Sequence, residues 1–196
     1  MVLENGLLFK MNYKEEIEKA MKMLSEHSKT IFLGQTVEYS GSAIFGSLAD
    51  IPENKKIELP IIEDTQMGMS IGLSLEGFIP ISIYPRMDFF ILAMNQLINH
   101  LDKTEEMSNG QFKPKVIIRT MVGGTEPLYP GCQHCSDYTE AMKVFLKNTD
   151  VIKLKNPEDI VPAYKKALES ERSTLIIEVA DLYNQEIIEG KSTEKD

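Results

Sequence analysis

Six short runs of β-branched and aliphatic residues recur along this chain: Thr30–Gly34, Ile57–Ile62, Ile79–Tyr84, Lys115–Thr120, Val151–Leu154 and Thr174–Val179. Between them lie stretches whose apolar residues fall at helical spacing. Strands separated by crossover-length helices do not form hairpins; they pair in parallel, and the connecting helices bury both faces of the sheet. The pattern therefore predicts an α/β fold, a mostly parallel sheet with helices on both faces. With 196 residues there is room for one such domain.

Local signals mark the element ends. Asn12 followed by Glu15 reads as an N-cap with a reciprocating acid, opening a helix through Ile17, Ala20, Met21 and Leu24. Pro60 removes a ladder donor from the run Ile57–Ile62 and weakens it as a strand. Met67–Glu76, with Gly68 and Gly72, reads as a helix able to pack closely. Phe90, Ala93, Met94, Leu97, Ile98 and Leu101 form the apolar face of a helix over Phe89–Leu101. Asp137–Leu146 is helical, and Asn156-Pro157-Glu158 supplies a cap and a first-turn proline for a helix to Leu168. Residues 1–11 read as an N-terminal extension, 12–185 as the domain, and 186–196 as a charged, frayed tail.

Thirty acids against 21 bases give a formal charge of −9. Such a surface repels phosphate backbones and anionic lipid, so neither nucleic acid nor membrane is expected as a partner. No apolar run approaches the roughly 20 residues of a transmembrane helix. The start Met1–Lys10 has an early acid and no small-residue cleavage site, unlike a signal peptide. With two cysteines only, the expected address is cytoplasmic.

In α/β sheets ligands bind beyond the carboxyl ends of the strands, so residues just after strands are the candidates. Gly41 to Ser47 has the glycine spacing of a phosphate loop but serine where the lysine must be, which makes it a poor cradle. Cys132-Gln133-His134-Cys135 offers two thiols and a histidine, yet a structural zinc needs four ligands and the chain has no other cysteine. The same spacing would serve disulfide exchange. The favoured reading is a loop in which His134 matters and the thiols do not. Glu63-Asp64 follows an apolar run. An acid at a strand end is commonplace on a surface, but between a buried strand and an apolar helix Glu63 is partly desolvated, as a proton-transfer residue needs.

The segment Ile57-Glu-Leu-Pro-Ile-Ile-Glu63-Asp64-Thr-Gln-Met-Gly68, continuing to Gly72, Gly77 and Pro80, resembles the pyrimidine-binding domain of thiamine-diphosphate enzymes. The beta subunits of 2-oxoacid dehydrogenases come closest and transketolases next. The likeness runs on through Tyr84, Phe89, Asn95 to Asn99, Ser108 to Phe112, Val116 to Thr120 with Gly123-Gly124, Gln133-His134 and Val151 to Tyr183. It spans roughly Asn12 to Tyr183.

The resemblance implies thiamine diphosphate held between two domains, one gripping the diphosphate through a metal and a Gly-Asp-Gly motif, the other receiving the pyrimidine. Glu63 matches the carboxylate that bonds the pyrimidine N1′ atom and promotes ionisation of the cofactor. Phe89 matches the aromatic packed on that ring, with Tyr84 and Pro85 lining the pocket, and His134 matches a histidine facing substrate. This chain has no Gly-Asp-Gly, so no metal ligand is assigned to it. Mg2+ and the diphosphate would be held by a separate diphosphate-binding-domain subunit, giving an expected heterotetramer that acts on a small keto substrate. Asp64, Cys135 and Asp137 depart from the family pattern. The chain stops near where a third domain would begin, which favours transketolase-like ketol or acyl transfer, after cleavage of a carbon–carbon bond next to a ketone, over a 2-oxoacid dehydrogenase beta subunit. The reading from another class is a catalytically silent scaffolding or regulatory subunit.

Overall fold

The computed structural model describes residues 2–4, 7–9, 11–39, 43–125 and 129–183. The tail 186–196 and the Gly41 end of the candidate phosphate loop lie outside the described residues. Within the N-terminal extension, β1 (Val2–Glu4) and β2 (Leu7–Phe9) pair antiparallel. The domain then runs α1 (Tyr13–Glu26), β3 (Thr30–Gly34), α2 (Ala43–Gly46), β4 (Lys56–Glu58), α3 (Glu63–Leu75), β5 (Ile79–Tyr84), α4 (Met87–Phe90), α5 (Thr104–Met107), β6 (Ile117–Val122), α6 (Thr139–Phe145), β7 (Asp150–Lys153), α7 (Pro157–Glu169) and β8 (Thr174–Val179). Strands β3 to β8 form one six-stranded sheet in the order β4-β3-β5-β6-β8-β7, every neighbouring pair parallel. That is the α/β architecture the alternation predicts.

Successive residues of a strand face opposite sides, and this sorts the sheet into two cores. Phe32, Ile81, Ile83, Ile117 and Ile176 face α1 and α7, meeting Ile17, Met21, Leu24, Ile160 and Tyr164. Tyr84, Ile118, Leu175 and Ile177 face the other way, against Met67, Phe90, Leu97 and Met142. No helix among the described residues is long and apolar enough to cross a membrane.

Most boundary differences trace to particular bonds. Asn12 caps α1 as expected, accepting from the Glu15 amide at 3.2 Å. Strand β4 stops at Glu58; one further bond, Leu59 N to Gly34 O at 2.9 Å, follows before Pro60 ends the pairing. Strand β6 begins at Ile117 rather than Lys115, because the Lys115 and Val116 amides donate to side-chain oxygens, Ser74 Oγ at 2.5 Å and Ser173 Oγ at 3.0 Å. The Asn156 side chain does not cap α7; its amide donates to Asp159 Oδ2 at 2.9 Å. Helix α3 starts four residues before the expected Met67, at Glu63 itself. The stretch expected as one helix over Phe89–Leu101 is α4, a tight 3-10 turn at Ile91–Ala93 and a wide π turn at Gln96–Leu101, with the same residues turned inward.

One polar group lies deep in the α1/α7 core. Arg119 is fully buried on β6. Its Nε donates to Glu178 Oε1 at 2.7 Å, and its Nη2 donates to Glu178 Oε2 at 3.0 Å, Ser47 Oγ at 2.8 Å and Tyr183 Oη at 3.0 Å. Tyr164 Oη donates to Glu178 at 2.5 Å, and Tyr183 Oη donates to it as well. Burial, followed by the Glu178 charge, pushes both phenols up and keeps them protonated donors. Burial alone would lower the guanidinium; Glu178 outweighs it and holds Arg119 charged.

A buried pair of this kind costs most when broken singly. Glu178→Gln leaves the Arg119 cation uncompensated and should destabilise the domain by about 3–5 kcal/mol. Joint replacement with Arg119→Met and Glu178→Leu should cost less than either half. Urea unfolding of Arg119→Met, Glu178→Leu and the double reads this directly, and an additive double would contradict the pairing.

Candidate functional site

The carboxyl ends of β3, β5, β6 and β8 share one edge of the sheet, and the turns that leave them build the site. At β3 the chain turns at Gly34, where a Cβ would lie 2.2 Å from Ile83 O, so no side chain fits. The following Thr36 takes a left-handed φ of 57°. Glu58, at the end of neighbouring β4, fixes that turn: its carboxylate accepts from the amides of Thr36 at 2.7 Å, Val37 at 2.8 Å and Glu38 at 2.9 Å. Between Gly34 and Thr36, Gln35 is thereby aimed at α3, and its Nε2 donates to Glu63 Oε1 at 3.1 Å.

Glu63 opens α3 and is only 3% exposed. The free amides and dipole of a helix N-terminus favour a carboxylate there. Below it, α3 is pinned to β5 by neutral hydrogen bonds. Gln66 Nε2 donates to Ile83 O at 2.9 Å and Ser82 Oγ at 3.2 Å, and Tyr84 Oη donates to the Glu63 carbonyl at 3.3 Å. Tyr84, expected to line the pyrimidine pocket, is instead fully buried with its ring against Phe90 at 4.8 Å. Its odd-even position on β5 turns it into the core, so it acts through the main chain of Glu63 rather than on a ligand. Asp64 is exposed and bonds its own helix turn, accepting from Thr65 N at 2.7 Å.

Beyond β5, Pro85 is half-buried and Arg86 reaches across to β6. Arg86 Nη1 donates to Gly123 O at 3.1 Å and to His134 O at 2.5 Å. The turn carrying His134 is laid along α4: Asp88 Oδ2 accepts from Ser136 N at 3.1 Å, and Met87 Sδ accepts from Tyr138 N at 3.0 Å. The rings of Phe89 and His134 meet edge to face, 5.3 Å apart at 87°. His134 Nδ1 is buried with no hydrogen-bond partner among the described residues. Two of the expected residues are thus in contact, Phe89 with His134, while Glu63 is set by β3 and β5.

Gln35, Glu58 and Arg86 escaped the sequence reading. Gln35 had a signal, a polar residue just past a strand-ending glycine; Glu58 and Arg86 had none, since their bonds go to main chain distant in sequence. Among the described residues no group of three or more His, Cys, Asp or Glu side chains comes together as a cation site. A groove of about 540 Å³ runs between α6 and β7, lined by Asp137, Thr139, Lys143, Lys153 and Lys155, and includes none of Glu63, Phe89 or His134.

A family model described as transketolase, pyrimidine binding domain, matches residues 9–185. Among curated relatives, the 2-oxoisovalerate dehydrogenase subunit beta of Bacillus subtilis (strain 168) is 26% identical over 185 residues, covering 92% of this chain and 55% of the relative. The pyruvate dehydrogenase E1 component subunit beta-3, chloroplastic, of Oryza sativa subsp. japonica is 26% identical over 170 residues, covering 85% and 43%. A solved structure titled split gene transketolase, inactive beta4 tetramer, superposes with a TM-score of 0.68 at 22% identity, covering 88% of this chain and 52% of that one. The chain spans about half the length of these relatives.

The turn that carries His134 ends on Asp137, which pairs with Lys153 and accepts from Thr139 N at 3.0 Å and Thr139 Oγ1 at 2.6 Å. Desolvation would raise this carboxyl, but the Lys153 ammonium and the Thr139 donors outweigh it and hold it down from 3.8 to about 2. A depressed carboxyl stabilises the fold above its unfolded value and loses that stabilisation as pH falls through the folded one. The native domain should therefore lose stability between pH 3.8 and about 2 more steeply than Asp137→Asn does. Thermal melts of the two proteins across that range test it; parallel curves would refute the assignment.

Proposed function

The chain belongs to the transketolase pyrimidine-binding-domain family, and we propose that it is the pyrimidine-half subunit of a split thiamine-diphosphate enzyme. In this reading it completes an active site with a second chain that binds the diphosphate and Mg2+, in a heterotetramer. The reaction is cleavage of a carbon–carbon bond next to a ketone and transfer of the fragment, in the manner of a transketolase. The observation that carries this is Glu63: a carboxylate withdrawn from water at a helix N-terminus, on the ligand edge of the sheet, oriented by the Gln35 amide.

The residues present fit one half of the cofactor. A buried carboxylate and a half-buried phenylalanine suit a flat, basic, aromatic ring. A diphosphate needs a metal clamp or gathered cations. The chain is net −9, has no Gly-Asp-Gly sequence, and among its described residues no group of three or more His, Cys, Asp or Glu comes together to hold a metal. When bound, thiamine diphosphate supplies a carbon nucleophile and an electron sink that amino-acid side chains lack. Glu63 holds and exchanges the proton at N1′ of the ring. Gln35 keeps the carboxylate turned to it, and Phe89 presents a face for the ring. His134, half-buried beside Phe89, takes the polar end of the keto substrate, and Arg86 is the positioning residue that fixes its turn. Exposed Met69 on α3 and Ile91 and Leu92 after α4 offer apolar surface for the second chain.

A second reading, the beta component of a 2-oxoacid dehydrogenase, is favoured by the 26% identity to two dehydrogenase beta subunits. The two readings differ in donor, a ketose against a 2-oxoacid, and turnover of each by the reconstituted pair separates them.

Calorimetric titration of the isolated chain with thiamine diphosphate and Mg2+ should give weak or undetectable binding, and tight binding should appear only once the diphosphate-domain partner is added. Tight binding and turnover by this chain alone would sink the split-enzyme reading. In the reconstituted pair, Glu63→Gln keeps size and polarity but removes the ionisable acceptor, so turnover should drop on the order of 100-fold or more, with assembly intact. Hydrogen–deuterium exchange at C2 of the bound cofactor should slow in parallel; unchanged exchange would remove Glu63 from the proton path and favour a silent subunit.

A further inference from the structure

Cys132 and Cys135 bracket His134 on the turn before α6, and the proposed chemistry uses neither thiol. They are the only cysteines in the chain. The turn is closed by its own bonds. His134 N donates to Gly131 O at 3.1 Å, Cys135 Sγ lies 3.5 Å from the same oxygen, and Ser136 Oγ donates to Cys132 O at 3.4 Å. Gly131 enters it with φ 101°, a left-handed conformation that a side chain would resist. The turn bond closes Gly131 to His134, and the Cys135 thiol and Ser136 hydroxyl fold back on carbonyls four residues earlier, which keeps Cys132 and Cys135 within one short reversal.

Cys135 Sγ packs on the carbonyl of the Gly131–Cys132 peptide, which sets it against the backbone that carries Cys132. Desolvation, then the Cys135 sulfur, then the Cys132 sulfur raise the Tyr129 phenol above its ordinary value. The two thiols differ in access, since Cys132 is exposed and Cys135 half-buried. That is the arrangement of an attacking and a resolving thiol.

We propose that Cys132 and Cys135 form a reversible dithiol–disulfide pair, oxidised by peroxide, that locks the turn carrying His134. The exposed Cys132 thiolate attacks one oxygen of hydrogen peroxide, breaking the O–O bond; a sulfenic acid forms and one water leaves. The Cys135 thiolate then attacks the Cys132 sulfur, forming the S–S bond and releasing the second oxygen as water. Two thiols give up two electrons and two protons, and the peroxide takes them. A disulfide holds its two Cα atoms at about 4.4–6.8 Å, so the link clamps both flanks of His134. Cys135 gives up its contact with Gly131 O, and the His134 ring shifts against Phe89. Because Arg86 grips the His134 carbonyl, the turn is held at its centre while its flanks are drawn in. The bond itself is independent of the proposed function; only its effect on turnover rests on that reading.

The full reduced chain, treated with stoichiometric hydrogen peroxide and then an alkylating agent, is digested and weighed. The peptide containing Cys132 and Cys135 should be lighter by two hydrogens, carry no alkyl group, and revert with dithiothreitol. Amide exchange over residues 131–136 should slow about tenfold in the oxidised form. Neither Cys132→Ser nor Cys135→Ser should show either change. In the reconstituted pair, peroxide should lower kcat/KM several-fold in the native protein, reversibly, and leave the double serine variant unaffected. Dimers linked through Cys132, a sulfinic acid at Cys132 with Cys135 still alkylated, or exchange unchanged by oxidation would each overturn the proposal. If the disulfide forms and exchange slows but the reduced pair never turns over, the functional reading fails and the redox pair stands.

Discussion

A guanidinium carries donors only, and Arg119 brings its full set into a core that water does not reach. Glu178 from the next strand, Ser47 and Tyr183 accept from its Nε and Nη2, Tyr164 donates to Glu178, and Nη1 has no partner among the described residues. These partners come from separate places: β8, α7, the segment after β8 and the turn after α2. Each must arrive for these bonds to form, so the network ties β6 and β8 to α7 and to the turn after α2. Tyr13 of α1 joins it by ring contact with Tyr183 at 5.5 Å and by accepting from Val179 N at 3.0 Å. Once β6 and β8 are locked here, their outgoing turns have little freedom. Gly123 then passes so close to Asp181 that a Cβ would lie 2.3 Å from its carboxylate, and Thr125 N donates to the same group at 2.9 Å.

The opposite layer is held differently, and the difference matters for the site. Between α3 and β5 the buried polar groups are neutral: Gln66, Ser70, Ser82 and Tyr84. Burial pushes the Tyr84 phenol up, so it remains a donor to the Glu63 carbonyl. Neutral bonds fix the helix without placing a further buried charge beside Glu63. Asp64, the one acid adjacent in sequence, faces solvent, so the two carboxylates do not share a site.

How much of this was legible depended on whether a residue's partner was local. The Asn12 cap, the six runs of strand residues and the inward face over Phe90 to Leu101 are properties of a few neighbouring residues, and each appears in the structure. Pro60 correctly signalled a weak strand and lies just past its end. Helix α3 was placed too late because Ile62 gives no capping side chain, so nothing marked its start. Tyr84 was given a lining role that its facing on β5 rules out. Arg119 and Glu178 lie 59 residues apart, and each looked like an ordinary polar residue within an apolar run. The same holds for Glu58 with the Thr36 turn and Arg86 with His134, at separations of 22 and 48 residues. Resemblance to a family picked out Glu63, Phe89 and His134, but only the fold supplied what holds them.

Those holding residues divide the site into two units with separate supports. Glu63 depends on β3, β4 and β5 through Gln35, Glu58 and Tyr84; His134 depends on β5 and α4 through Arg86, Asp88 and Met87. They meet at β5, whose end passes directly from Tyr84 through Pro85 to Arg86, and where α3 and the α4 segment pack together through Met67, Tyr84 and Phe90. Strand β5 is flanked by β3 and β6 and buried along nearly its whole length, which anchors this junction. The hydrogen bonds that hold the His134 turn and those that hold the Glu63 carboxylate are therefore separate sets on one anchored strand. The thiols lie on the His134 side alone. On the proposed reading, a device that acts there alters what is done to a substrate while Glu63 keeps its own supports.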